Sequence, residues 1–104
     1  MVQITSGKHT FGPVTGVGPR AETETVTLPA PVRDATAFLT GFHVEFTPLE
    51  DHNFGELSVQ VAVEAIEPTS GQVTVLCTYG LRDWSDTFDD AYDGTIFFAV
   101  ISLP

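Results

Sequence analysis

Residues 81–94 hold the side chains whose types and spacing come closest to those of a binding site. The segment contains five aspartates, which are Asp83, Asp86, Asp89, Asp90 and Asp93. Several carboxylates in one loop are the kind of ligand set that calcium prefers. However, their spacing does not match the EF-hand pattern D-x-[DN]-x-[DN]-G, and aspartate is also a common turn residue. Calcium binding and a solvated turn both stay open, and no other cofactor is expected.

Three aromatic residues, Trp84, Phe88 and Tyr92, recur at every fourth position of the same segment. Exposed rings beside carboxylates could bind a sugar, because its CH groups stack on a ring while its hydroxyls need hydrogen-bond partners once water is removed. Arg82 and Asp86 would supply such partners. Rings at this spacing could equally pack in the core as one buried stripe. The segment therefore offers either a sugar platform or a packing element.

The sequence offers no convincing catalytic centre. The three histidines, His9, His43 and His52, match no zinc-binding spacing, and there is no G-x-S-x-G motif. The single cysteine, Cys77, lies in an apolar run, which favours a buried, inert thiol over a nucleophile. The acids could serve a paired-carboxylate hydrolase, but a small sandwich seldom provides the deep cleft for that chemistry. We therefore expect a protein that is not an enzyme.

The charge balance argues against several classes of partner. The 104 residues include 14 acids and four bases, which gives a formal net charge of −10. Nucleic acids and anionic membranes bind clustered lysine and arginine, so neither is an expected partner. No apolar run is long enough for a transmembrane helix, and the first residues lack the basic and apolar parts of a signal peptide. These features predict a cytoplasmic location or export by a non-classical route.

The elements that position these residues are predicted to be β-strands. Residues 57–64 alternate strictly between apolar and polar, and residues 72–79 place Val73, Val75 and Cys77 on one face. The intervening residues 67–71 have the composition of a turn. Together these runs predict a β-hairpin.

Other runs complete an all-β pattern. Residues 37–46 form a predicted strand with its three phenylalanines and Val44 on one face. Glycines and prolines fall mostly between the runs, as turn residues do. Shorter strands are predicted at residues 2–5, 8–11 and 23–28. The whole chain, residues 1–104, is thus predicted to be one domain, a six- to seven-stranded antiparallel β-sandwich.

The last predicted strand, residues 95–103, is apolar on both faces. Ile96, Phe98 and Val100 alternate with Phe97, Ala99, Ile101 and Leu103. Only one of these faces can line the core of a two-layer sandwich. The other face must meet something else, and a subunit interface is the natural candidate.

Short motifs along the chain resemble those of the H-type lectin domain, the fold of snail agglutinins and of the C-terminal domain of discoidins. They include Ser6-Gly7-Lys8 after a first short strand, a strand that ends in the proline-rich bend of residues 28–32, and Trp84-Ser85-Asp86-Thr87. A final apolar strand then closes the domain. The acidic stretch after Trp84 is longer than in that family, and residues 48–56 look like an insertion.

This resemblance implies a six-stranded antiparallel sandwich that assembles as a homo-trimer or as a hexamer of two trimers. It also implies that a sugar, typically similar to N-acetylgalactosamine, binds in a cleft between protomers. Trp84 and Ser85 would then lie near the ligand or the trimer interface.

Two functions follow from these observations. The first is a carbohydrate-binding homo-oligomer whose ligand residues are Trp84, Ser85, Asp86, Tyr92, Arg82 and His52. The alternative is a non-catalytic structural or assembly protein, such as a component of a phage particle or of a secreted assembly, built on the same sandwich. The burial of the aromatic residues in the segment separates the two, because a sugar platform needs exposed rings and an assembly protein does not.

Overall fold

Six long β-strands make up the fold in the computed structural model, which describes residues 2–14, 16, 18–46, 54–83 and 91–104. No helix occurs among these residues, so the prediction of an all-β antiparallel sandwich is confirmed. Residues 2–5 and 8–11, predicted as two strands, belong to one continuous strand, which sets the number at six. The strands are β1 Gln3–Val14, β2 Arg20–Thr27, β3 Asp34–Phe46, β4 Phe54–Glu67, β5 Gln72–Asp83 and β6 Tyr92–Leu103.

The strands form two three-stranded antiparallel sheets. The first sheet has the order β1-β6-β3, and the second has the order β2-β5-β4. The central strands are therefore β6 and β5, and all four others are edge strands. The core lies between the sheets, where alternate residues of the two central strands meet. It includes the fully buried Val73, Val75, Cys77, Tyr79, Ile96, Phe98 and Val100.

The predicted β4–β5 hairpin is confirmed, and its strands are longer than expected because the pairing continues past the alternating residues. Gly71 lies in the turn with a φ of 78°, a left-handed conformation that favours glycine. Its amide donates to the Glu67 carbonyl at 3.0 Å, and its own carbonyl accepts from the Leu28 amide at 2.8 Å. The turn is thus joined to the segment that follows β2.

Strand β3 contains an irregularity that the alternation did not reveal. Leu39 pairs with Phe98 and Gly41 with Phe97, so Thr40 is the extra residue of a β-bulge. The bulge changes which side chains share a face. Phe38 was predicted to share a face with Phe42, but Phe38 pairs with the outward-facing Ala99, whereas Phe42 pairs with the core residue Ile96. That part of the prediction is wrong.

Candidate functional site

Only part of the predicted sugar site and calcium site can be placed. Arg82, Asp83, Tyr92 and Asp93 are in strands. The remaining predicted ligands, Trp84, Ser85, Asp86, Asp89, Asp90 and His52, lie outside the described residues, as does Phe88.

The strands reach further into the acidic segment than its composition indicated. β5 continues to Asp83 in the second sheet, and β6 begins at Tyr92 in the first sheet. Asp83 and Asp93 are therefore strand residues in different sheets rather than members of one loop. Asp93 precedes a glycine that sits inside β6, where an added Cβ would be 2.7 Å from the His43 carbonyl oxygen. The described residues contain no group of three carboxylate, histidine or cysteine side chains that could hold a metal ion.

Tyr92 is a core residue. Its ring is fully buried, and it stands edge-to-face against Tyr79 with 5.1 Å between centroids. Burial raises the pKa of Tyr92, and the nearby Arg20 guanidinium opposes that rise. Within one protomer, Tyr92 therefore presents no ring face on which a sugar could stack.

Arg20 is a residue that the sequence reasoning did not single out. From the first position of β2 its guanidinium reaches between aromatic rings, 4.7 Å from the Tyr92 centroid and 5.1 Å from the Phe11 centroid. Its Nη1 donates to the Gly12 carbonyl at 2.7 Å, and its Nη2 donates to the Tyr92 carbonyl at 3.2 Å. Arg20 thus ties the second sheet to two strands of the first sheet.

Tyr79 and Asp93 are two further polar residues near Arg20, at the end of the sandwich where β2 and β6 begin. The Tyr79 hydroxyl donates to the Asp93 carbonyl at 2.6 Å, and burial raises the pKa of Tyr79. The Oδ1 atom of Asp93 and the Nε atom of Arg20 are both buried and have no hydrogen-bond partner among the described residues.

Arg82 is held within the second sheet. Its Nη2 donates to Glu56 Oε2 across the β4–β5 pair at 2.9 Å, and its Nη1 donates to the Asp83 carbonyl at 3.2 Å. The Arg82 side chain is largely buried, whereas the Glu56 side chain is half exposed. The residue predicted to meet sugar hydroxyls therefore already contacts the protein.

The burial predicted for Cys77 is confirmed. The thiol is fully buried on β5. Burial, with Glu24 and Glu22 nearby, raises the pKa of Cys77 to about 11. Because the thiolate is the nucleophilic form, a thiol with this pKa is inert at neutral pH.

Several exposed apolar side chains lie on the outside of the first sheet. Residues that pair across neighbouring strands share a face, so each pairing defines a row of side chains across the sheet. Ile4 pairs with Ile101, Phe38 pairs with Ala99, and Phe97 lies on the central strand β6. We call these five residues the outer apolar face. Ile4 is 67% exposed, Phe38 41% and Phe97 40%. The prediction that both faces of β6 are apolar is thus confirmed, and one of them is open to solvent.

Comparisons with protein-family models, with curated proteins and with solved structures gave no match. In the described part of the chain, no helix has the length and hydropathy needed to cross a membrane.

Proposed function

We propose that this chain is a non-catalytic carbohydrate-binding module that acts as a symmetric homo-oligomer, with sugar bound near the protomer boundaries. The observation that carries this proposal is the outer apolar face. Monomeric proteins rarely expose large contiguous apolar patches, and such patches mark sites of association. Here three large side chains of one sheet face, Ile4, Phe38 and Phe97, are between two-fifths and two-thirds exposed.

The charge of the chain explains why a second copy would use this face. Two copies with a net charge of −10 each repel one another at most orientations. The three rows of the outer apolar face contain Lys8 as their one charged residue, in the row of Phe97 and Gly41. Contact through this face joins apolar surfaces while the acids stay in water, and identical faces pair naturally around a symmetry axis.

Carbohydrate binding is supported by the sequence around Trp84 together with the fold. Six antiparallel strands in two sheets agree with what the resemblance to H-type lectins implies. Trp84, Ser85 and Asp86 directly follow the last residue of β5 in the sequence. A ring, a hydroxyl and a carboxylate are the groups that a neutral sugar needs. Several weak sites in one oligomer would act together through avidity.

An assembly protein remains the second candidate because Tyr92 is buried. Of the aromatic residues expected to stack on a sugar, Tyr92 is the one that the structure describes, and it packs in the core. An assembly protein would use the outer apolar face in the same way and would bind no sugar.

Calorimetric titration with a panel of monosaccharides separates the two functions. We expect a saturable heat with at least one sugar, lost in Trp84→Ala and reduced in Asp86→Asn, while light scattering gives an unchanged mass for both variants. Glu64→Gln is the matched control, since Glu64 is an exposed carboxylate on β4. Absence of saturable heat with every sugar, from a well-folded oligomer, would favour the assembly protein.

The same titration tests calcium. If the aspartates after β5 hold calcium in the site, a chelator will abolish the sugar signal and added calcium will restore it. If these aspartates are turn residues, sugar binding will be the same with chelator and with calcium.

A further inference from the structure

His9 lies between the two sheets and contacts two carboxylates with its two ring nitrogens. It is on β1, and its side chain is 14% exposed. Its Nε2 is 2.7 Å from Glu22 Oε1, and its Nδ1 is 2.9 Å from Glu24 Oε1. Glu22 and Glu24 are on β2, an edge strand of the second sheet, whereas β1 is an edge strand of the first sheet. The contact therefore spans the sandwich at one of its open sides.

The two contacts with Glu22 and Glu24 bear on the protonation state of His9. An ionised carboxylate only accepts hydrogen bonds, whereas a neutral imidazole has one nitrogen that donates and one that accepts. Two contacts from one ring to two ionised carboxylates therefore require a proton on both nitrogens. A neutral His9 would place a nitrogen lone pair against a carboxylate oxygen at hydrogen-bond distance, which is repulsive.

We propose that His9 is held as an imidazolium that ties β1 to β2 along this open side of the sandwich, and that the side loosens when His9 loses a proton. We call His9, Glu22 and Glu24 the inter-sheet clip. Its function does not depend on sugar binding or on oligomer formation.

Apart from Glu22 and Glu24, the groups named around His9 are apolar, neutral or cationic, so the charged form depends on the two carboxylates. Phe11 on the same strand packs edge-to-face against the ring, with 4.8 Å between centroids. The partner of His9 on β6 is the apolar Ile96. From β5, the neighbour of Glu22 is Cys77, whose raised pKa keeps the thiol neutral. Two other charged groups are near in sequence: Arg20 contacts the Phe11 ring from β2, and Lys8 alternates to the outer side of β1.

The pKa of His9 agrees with this geometry. Burial alone would lower it, but the hydrogen bonds to Glu22 and Glu24 and the attraction of their charges outweigh burial, so the pKa lies above 6.5. A histidine pKa that is raised by folding stabilises the folded state fully below the unfolded value. This contribution is lost as the pH rises through the folded value. Stability from the clip thus declines from about pH 6.5 upward.

The first test is an NMR titration of the His9 ring in the intact protein, with the resonances assigned by comparison with His9→Gln. We expect both ring nitrogens to be protonated at pH 6.5 and the pKa to fall in Glu22→Gln and in Glu24→Gln. Glu64→Gln on β4 is the control and should leave the titration unchanged. A pKa at or below 6.5 in the wild-type protein, which needs no variant to fold, would overturn the proposal.

The second test measures amide hydrogen exchange between pH 6 and pH 9, expressed as protection factors. We expect protection in β1 and β2 to fall as His9 deprotonates, while amides in the central strand β5 keep theirs. Over the same pH range, the equilibrium constant for folding of the whole domain should also fall. The fall should be at most tenfold for each pH unit by which the His9 pKa measured by NMR exceeds 6.5. If protection in β1 and β2 were independent of pH, or fell equally in His9→Gln, the clip would not hold this edge.

Discussion

At the scale of single residues, the unusual feature is charge on the inward side of an edge strand, where the Glu22 and Glu24 side chains remain 42% and 39% exposed. Arg20, Glu22 and Glu24 alternate on the inward side of β2, where a strand normally places apolar residues. Each has contacts that offset the loss of water: Arg20 faces aromatic rings and two carbonyls, and both glutamates contact His9. Inward-pointing charges on an edge strand also discourage pairing with another chain, so they protect this side from aggregation.

The backbone conformation of Gly71 predicts that a substitution there lowers the free energy of unfolding. In Gly71→Ala, the new Cβ would collide with the Leu28 carbonyl oxygen, and the residue would keep a φ of 78°. We expect a loss of about 2–4 kcal/mol in the free energy of unfolding, from strain and from the displaced carbonyl. Urea denaturation followed by circular dichroism measures this loss.

Gly12→Ala is the matched control for that experiment. An added Cβ at Gly12 meets nothing within 4 Å, and its backbone φ is not in the left-handed region. We expect a change within about 0.5 kcal/mol. Equal effects at the two glycines would mean that turn geometry does not decide the stability of the hairpin.

The sequence predicts the burial of a single residue better than its contacts with distant strands. Cys77 was predicted to be buried because its neighbours are apolar, a local property. The contacts of His9 join strands that are separated along the chain, and no local pattern reports them. The sequence does contain one indication of the position of the glutamates. Glu22, Glu24, Val26 and Leu28 alternate along the chain, so a strand that buries Val26 and Leu28 also turns Glu22 and Glu24 inward.

At the scale of elements, alternation predicted the strands well and their ends poorly. The β4–β5 hairpin follows from period-two apolar residues and a turn composition. The acidic residues near 83 and 93 were assigned to a loop, yet both belong to strands, because cross-strand pairing with Phe54 and Glu45 continues past the apolar positions. Such pairing depends on the partner strand and not on local composition.

The bulge in β3 predicts that one residue of this strand can be deleted at little cost in stability. Deleting Thr40 would place Gly41 directly after Leu39, and both residues could keep their present partners on β6. We expect the deletion to be tolerated, with a loss of about 1 kcal/mol in the free energy of unfolding.

Deletion of His43 is the contrasting control. His43 lies in a regular part of the ladder, so its deletion makes Phe42 and Val44 consecutive. One side of the strand must then change phase, and Phe42 and Val44 could not both keep their inward positions. A loss of about 4 kcal/mol or more is expected in thermal or urea unfolding. If removing Thr40 were as damaging as removing His43, the bulge would have a structural role that its pairing does not explain.

At the scale of the whole molecule, two surface properties act in opposite directions. We expect the net charge of −10 to keep copies apart at most orientations and the outer apolar face to favour their contact. Association through the outer apolar face would keep most acids in water, because Lys8 is the one charged residue in its three rows. We therefore expect a closed, symmetric oligomer rather than an indefinite aggregate.

The measurement that tests this account most directly is the molar mass in solution, by light scattering, of the wild-type protein and of Phe97→Ser. Phe42→Ser is the matched control, since Phe42 is similarly exposed, at 46% against 40%, but pairs with the core residue Ile96 instead of lying on the outer apolar face. We expect a small integral multiple of the protomer mass for the wild-type protein and for Phe42→Ser, and a large shift towards monomer for Phe97→Ser. A monomeric wild-type protein at high concentration, or an oligomer that survives Phe97→Ser unchanged, would contradict it.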